Sequence, residues 1–143
     1  MEIQPANFLD LNSLRKLSHA CFGIDAWPLL DLISVLSFVD VIRLKAVDDH
    51  GMAGFIAGDP RQTDGLAWVS ILAVDPRCQR RGIGTALLRE YESRVPAPVM
   101  KLTVRRSNHQ AIALYEKEGY RSVDIWKRYY NNGEDGLVMA KNL

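Results

Sequence analysis

Residues 72 to 85, Leu72-Ala73-Val74-Asp75-Pro76-Arg77-Cys78-Gln79-Arg80-Arg81-Gly82-Ile83-Gly84-Thr85, join an apolar run to a loop with two glycines and three arginines. An amphipathic pattern follows, so the loop opens a helix. The first amides of a helix have no internal partners and point outward with partial positive charge. Glycine lets an anion approach that backbone with no Cβ in the way. Arg77, Arg80 and Arg81 add cations nearby. This chemistry suits a diphosphate; the competing reading is a tight connection carrying solvated arginines. Two other phosphate loops fit worse. A P-loop closes on Gly-Lys-Ser/Thr, and no lysine follows these glycines. A dinucleotide fingerprint needs a third small residue at position 87, which is Leu87, and normally opens the first βα unit.

The elements that must hold this loop are legible around it. Asn7 can cap a helix to about Cys21, with Phe8, Leu11, Leu14 and Leu17 on one face, broken by Gly23. Pro28 suits the first turn of a second short helix carrying Leu29, Leu32, Ile33 and Leu36. The period then changes to two. Val41 to Val47 alternates as a half-buried strand, and Asp48-Asp49-His50-Gly51 turns it into Met52 to Ala57, forming a hairpin. Gly58 to Gly65 reads as a loop, and Leu66 to Val74 as a central strand stopped by Asp75-Pro76. A helix from about Gly82 to Arg94 buries Ile83, Leu87, Leu88 and Tyr91. Val99 to Val104 is a strand, and Ser107 or Asn108 caps a helix to about Glu118 that Gly119 ends. Strands near Ser122 to Tyr129 and Gly136 to Lys141 flank Asn131-Asn132-Gly133.

The order αα-ββ-β-α-β-α-ββ predicts an α/β (α+β) fold: a mixed, mostly antiparallel sheet of six to seven strands flanked by about four helices. No repeat, low-complexity tract or Gly/Ser linker marks a boundary, so residues 1–143 read as one domain.

Gln79-x-x-Gly82-x-Gly84 after Val74-Asp75-Pro76 resembles the acetyl-CoA motif of the GNAT superfamily of N-acetyltransferases. Leu102-Thr103-Val104-Arg105-Arg106-Ser107-Asn108, with Ala111, Leu114-Tyr115-Glu116 and Gly119-Tyr120, resembles that family's second cofactor motif. Tyr129-Tyr130-Asn131-Asn132-Gly133-Glu134-Asp135 followed by Val138-Met139 is similar to the ending of protein Nα-acetyltransferases, and Ala26-Trp27-Pro28 to their loop between the first two helices.

The resemblance implies an acetyl-CoA-dependent enzyme in which a neutral amine attacks the thioester directly. It implies that the backbone of Leu72, Ala73 and Val74 pairs with the pantetheine arm as an added strand would. The segment Gln79, Arg80, Arg81, Gly82, Ile83, Gly84 and Thr85 would hold the pyrophosphate. Asn108, by itself a helix cap, would also bond to the cofactor. Tyr115, by spacing a helix-face aromatic, would protonate the departing thiolate: a thiol near pKa 8.5 can take a proton from a phenol near 10. Tyr129 and Tyr130 would lie by the loop that grips the acceptor, with sheet packing as the alternative. Trp27 and Trp68 read as core packing, with pocket lining as the alternative.

Thr103 departs from the pattern. Ribosomal-protein-alanine acetyltransferases carry a glutamate base there, and eukaryotic relatives can carry histidine, whereas threonine takes up no proton near neutrality. No base is assigned. An α-amine with pKa about 8 is roughly a tenth neutral at pH 7, and a lysine amine near 10.4 is about a thousandth neutral or less, which favours N-terminal acceptors. The acceptor is read as a protein or peptide N-terminus; the alternatives are a small amine, or a module that binds acyl-CoA without chemistry.

Eighteen basic against seventeen acidic residues leave a formal charge of +1, which gives no electrostatic case for nucleic acid or acidic lipid as main partner. Cys21 and Cys78 read as reduced thiols, and His19, His50 and His109 as surface or cap residues, so no metal site is expected. No signal peptide or apolar run of about 20 residues is visible, so the expectation is a soluble cytoplasmic protein, a monomer or weak dimer.

Overall fold

The period-two stretches become strands because one face of each is apolar, and the sequence switches period where the chain switches element. The computed structural model describes residues 1–59 and 65–143. Its strands are β1 Glu2–Pro5, β2 Ile42–Asp48, β3 Gly51–Asp59, β4 Leu66–Val74, β5 Val99–Arg105, β6 Arg121–Trp126 and β7 Gly136–Asn142. Its helices are α1 Leu11–Phe22, α2 Leu29–Ser37, α3 Ile83–Arg94 and α4 His109–Lys117. The strands form one sheet in the order β1-β2-β3-β4-β5-β7-β6. Every neighbouring pair is antiparallel except β4 and β5.

Each face of the sheet has its own core. On one, Ile83, Leu87, Leu88 and Tyr91 of α3 and Tyr115 of α4 pack against Leu44, Ile56, Val69, Met100 and Leu102. On the other, Leu14 and Leu17 of α1 and Leu32, Val35 and Leu36 of α2 cover Phe55, Ala57, Ile71 and Ala73. The mixed sheet with helices on both faces is the one expected from the element order.

The differences are local. β1 was not expected: of its four residues only Ile3 supplies an aliphatic anchor. It exists because β2 offers an open edge, and Pro5, with no N–H to donate, tolerates an edge position. Asn7 caps a short 3-10 turn, Phe8–Asp10, rather than α1 itself, which leaves Phe8 53% exposed. In α2 the buried face is Leu32, Val35 and Leu36, and Leu29 points outward. Gly58 and Asp59 belong to β3 rather than to a loop, and residues 60–64 of that expected loop lie outside the described residues. β6 stops at Trp126, short of Tyr129. The chain turns away where Arg128 takes a left-handed φ of 51° and donates its amide to Asp135 Oδ1 at 3.1 Å.

One feature of the sheet positions the site. β4 and β5 pair only at Leu66↔Val99, Ala67↔Met100 and Trp68↔Lys101, although β4 runs on to Val74 and β5 to Arg105. Beyond Trp68 a gap opens between two parallel strands. Its branch point is built by packing. Ser70 is an extra residue in β4, since Ala57 pairs with Ile71 and Gly58 with Val69. The buried Tyr91 hydroxyl of α3 donates to the Trp68 carbonyl at 2.8 Å.

Candidate active site

The β4 side of the gap is an unpaired strand edge. The Asp75 amide donates to the Ala53 carbonyl of β3 at 2.8 Å. Alternate residues of a strand turn their backbone groups to opposite edges. Ala73, like Asp75, therefore faces β3, while Leu72 and Val74 face the gap. The Cys21 thiol of α1 bonds to the Val74 carbonyl at 3.1 Å, and burial, with Asp75 nearby, pushes that thiol up to about 11. Cys21 and Cys78 are both free thiols.

At the end of β4 the chain enters α3 through Gly82, whose φ of 76° suits a residue without Cβ, in open space with nothing within 4 Å of where a Cβ would stand. Ala86 donates to the Gly82 carbonyl at 3.0 Å, so the amides of Ile83, Gly84 and Thr85 precede the first intrahelical bond. Arg80, with φ of 67°, and Arg81 are exposed beside them. Arg77 is engaged elsewhere: it pairs with the buried Asp75 carboxylate at 2.9 Å. Gln79 accepts from Gln110 of α4 at 3.3 Å, tying the loop to the next helix.

Across the gap, Asn108 Oδ1 accepts the Ala111 amide at 3.2 Å. The cap uses the carbonyl oxygen of that side chain and leaves its NH₂ donors for another partner, so capping and a second bond are compatible. Tyr115 is 8% exposed, packed edge-on to Tyr120 with ring centres 6.0 Å apart. Burial, with the neighbouring Tyr130, holds its phenol above the ordinary value near 10, so it is protonated at neutral pH. Every buried side-chain oxygen among the described residues has a partner, so the Tyr115 hydroxyl, which has none there, keeps some exposure to solvent.

The opposite face of β5 carries Lys101, Thr103 and Arg105, all half-buried. Thr103 lies under an aromatic row. Trp68 stacks on Trp126 at 5.7 Å, Trp126 meets Tyr129 at 5.1 Å, and Tyr129 meets Tyr130 at 5.0 Å. Tyr129 packs on Gly136, where a Cβ would fall 2.9 Å from Thr103 Cγ2 and 3.1 Å from Tyr129 Cδ2. Trp27 borders an open groove of about 510 Å³ with Asp31, Val35, Phe38 and Ser70. Neither tryptophan is fully core: both line this face, half-buried.

Sequence reasoning passed over three residues here. Arg105 bonds to Asp25 from the α1–α2 loop and to Glu134 from the β6–β7 loop at 2.7 Å. Arg105 and Glu134 lie inside motifs, but their pairing has no signature at these separations, and Asp25 carries no signal at all. Hydrogen bonds from Ser107 and Arg105 hold the Glu134 carboxyl below the usual range. Arg77 does the same for Asp75, and the Arg128 amide for Asp135.

A depressed carboxylate contributes stability above its unfolded pKa, near 4, and loses it as pH falls through the lower folded value. The thermal midpoint is therefore expected to stay level from pH 7 to about 5 and to fall below about 4. Asp75→Asn should flatten that acid limb in a calorimetric pH series; an unchanged limb would remove Asp75 as a contributor.

Among the described residues no group of His, Cys, Asp and Glu could hold a metal, and no helix is long and apolar enough to cross a membrane. A sheet split between parallel strands, with unbonded helix-start amides at the mouth of the split, suits an amide-rich acyl carrier ending in a diphosphate. That arrangement defines a candidate acyltransferase. Residues 12–120 match the acetyltransferase (GNAT) family, and the chain belongs to it. An N-alpha-acetyltransferase of Saccharolobus solfataricus is 41% identical over 99% of this chain and 92% of that relative. The ribosomal-protein-S18-alanine N-acetyltransferase of Escherichia coli superposes with a TM-score of 0.89 at 27% identity, over 99% of this chain and 92% of that one. Arabidopsis thaliana NAA60 in complex with acetyl-CoA has the same fold, with a TM-score of 0.85 at 23% identity over 99% and 98%. The protein is an N-acetyltransferase.

Proposed function

We propose that the acceptor is the N-terminal α-amino group of a protein or peptide. The observation that carries this reading is the full-length likeness to the Saccharolobus N-alpha-acetyltransferase. Acetyl-CoA supplies an acyl group on a leaving thiolate; the rest is done by the chain. Leu72 and Val74 offer strand-edge amide groups to the pantetheine arm, and Ala73, turned to β3, does not. The amides of Ile83, Gly84 and Thr85 hold the diphosphate, with Gln79, Arg80, Arg81 and Gly82 around it. The free NH₂ of Asn108 donates to the carrier. The Tyr115 phenol, neutral and in reach of solvent, protonates the leaving sulfur, and the proton that the amine nitrogen sheds as the amide forms returns through solvent to the phenolate. Tyr129 and Tyr130 border the acceptor on the β5 face.

Among the described residues, the titratable groups gathered at Arg105 are engaged or protonated and do not replace the base missing at Thr103. The Tyr130 phenol is itself pushed up to about 12, chiefly by burial, and Arg105 binds Asp25 and Glu134. The amine then enters neutral. kcat/KM is expected to rise about tenfold per pH unit from pH 6 and to bend near the amine's own pKa, about 8. A bend well below 7 would reveal an enzymic base. Intact-mass analysis of a peptide panel with varied first residues tests the acceptor: modification of the α-nitrogen is expected. Acetylation of small amines alone would defeat the reading.

A further inference from the structure

We infer that Arg105 is a positioning residue for the acceptor, joining the two loops that border its entrance. The inference rests on the α-amine reading for what enters there. Arg105 ends β5 on the same face as Thr103. One guanidinium nitrogen bonds to Asp25 in the loop between α1 and α2. The other bonds to Glu134 at 2.7 Å and to Asn132 at 3.0 Å in the loop between β6 and β7. The guanidinium carbon lies over the Tyr130 ring, 4.2 Å from its centre. Among the described residues no other hydrogen bond or ion pair joins the two loops.

The arrangement needs arginine. A planar fork with five donors can serve two carboxylates and an amide oxygen while keeping a face for an aromatic ring. An ammonium group has three donors and no such plane. The Arg105 side chain is 19% exposed and its partners 33% and 21%, so the tie is partly shielded from solvent. The other Glu134 oxygen accepts the Ser107 amide at 2.8 Å, one residue before the α4 cap. The acceptor loop is thereby attached to the segment that presents Asn108. Asp25 closes the tie from the opposite lip, and its loop is anchored where the Trp27 amide donates to Ser18 Oγ at 3.0 Å. Releasing Arg105 uncouples the two lips and removes one support of the Tyr130 ring, while the strand edge of β4 and the start of α3 keep their own supports.

The test is steady-state kinetics of Arg105→Gln, Arg105→Lys, Asp25→Asn and the double variant Asp25→Asn/Arg105→Gln, with acetyl-CoA affinity measured by calorimetry. Arg105→Gln should raise the acceptor KM about tenfold or more, with kcat within about threefold and acetyl-CoA affinity within about twofold. Arg105→Lys should fail to restore the wild-type KM. Asp25→Asn should give a smaller rise and add nothing to Arg105→Gln, because both cut the same tie. An unchanged acceptor KM, a parallel loss of acetyl-CoA affinity, or effects that multiply independently would each overturn the inference. Should Arg105→Gln fold poorly, Asp25→Asn decides alone: an unchanged acceptor KM overturns. Wild-type turnover of peptides judges the α-amine reading separately; if wild type takes only a small amine, the same ratios are read with that amine.

Discussion

Tyr115→Phe is expected to lower kcat at least about a hundredfold at saturating substrates, the scale of a lost proton donor. The substitution removes one oxygen from a ring otherwise enclosed by the α3 and α4 core, so the packing against Tyr120 stays. No protein group among those described loses a hydrogen bond, because the hydroxyl has no partner there. Stability should move little, and acetyl-CoA affinity should stay within about twofold, since the phenol acts on the leaving sulfur and not on the ground-state thioester. Burial favours the neutral phenol, which keeps the proton on Tyr115 across the working range. Two readouts are needed: pre-steady-state acetyl transfer, and calorimetric titration with coenzyme. Wild-type turnover in the variant would remove Tyr115 from the chemistry and return it to the core.

Gly58→Ala should cost about 3 kcal/mol or more, the upper end for overfilling a packed interior. An added Cβ would stand 2.0 Å from the Trp68 carbonyl oxygen and 2.3 Å from the Tyr91 hydroxyl, and one of those is backbone. The three groups meet where β4 leaves β5. The methyl therefore displaces the hydrogen bond that shapes the branch as well as the strand itself. In a chain of this size the thermal midpoint should fall by roughly 10 °C, with acetyl-CoA affinity falling as the gap distorts. Tyr91→Phe is the milder companion. It removes one buried hydrogen bond without a clash and should cost about 1 to 2 kcal/mol. A Gly58→Ala protein that melts with wild type would refute the close approach.

The two glycines that matter most were unequally visible. Gly82 stands in a recognisable loop before an amphipathic helix, so its role follows from local spacing. Gly58 looked like the start of a polar loop, because an isolated Gly-Asp-Pro reads as a turn. Only the approach of Tyr91 and the β4 backbone explains why no side chain fits there. β1 was invisible for a related reason: a four-residue edge strand has too little pattern of its own and is defined by its partner. The site divided in the same way. The Asn108 cap and the glycine loop before α3 were readable because each carries a short-range pattern tied to one element, while a chemical role for Tyr115 came only from the family resemblance. Arg105, Asp25 and Glu134 were not, since their pairing spans 80 and 29 residues.

From the chain of letters alone came every element but β1, their order and a candidate anion site at the start of α3; the donor role of Tyr115 and the missing base at Thr103 came from the family resemblance. Those properties depend on residue type and on neighbours within a few positions, where backbone geometry is nearly fixed. The tertiary structure alone decided that β4 and β5 part at Trp68, that Leu72 and Val74 rather than Ala73 face the opening, that Arg77 is engaged by Asp75, and that one arginine spans both lips of the acceptor face. Apart from the local Arg77–Asp75 pair, each of these depends on which distant surfaces meet. Such meetings are set by the packing of whole faces, which no local spacing encodes.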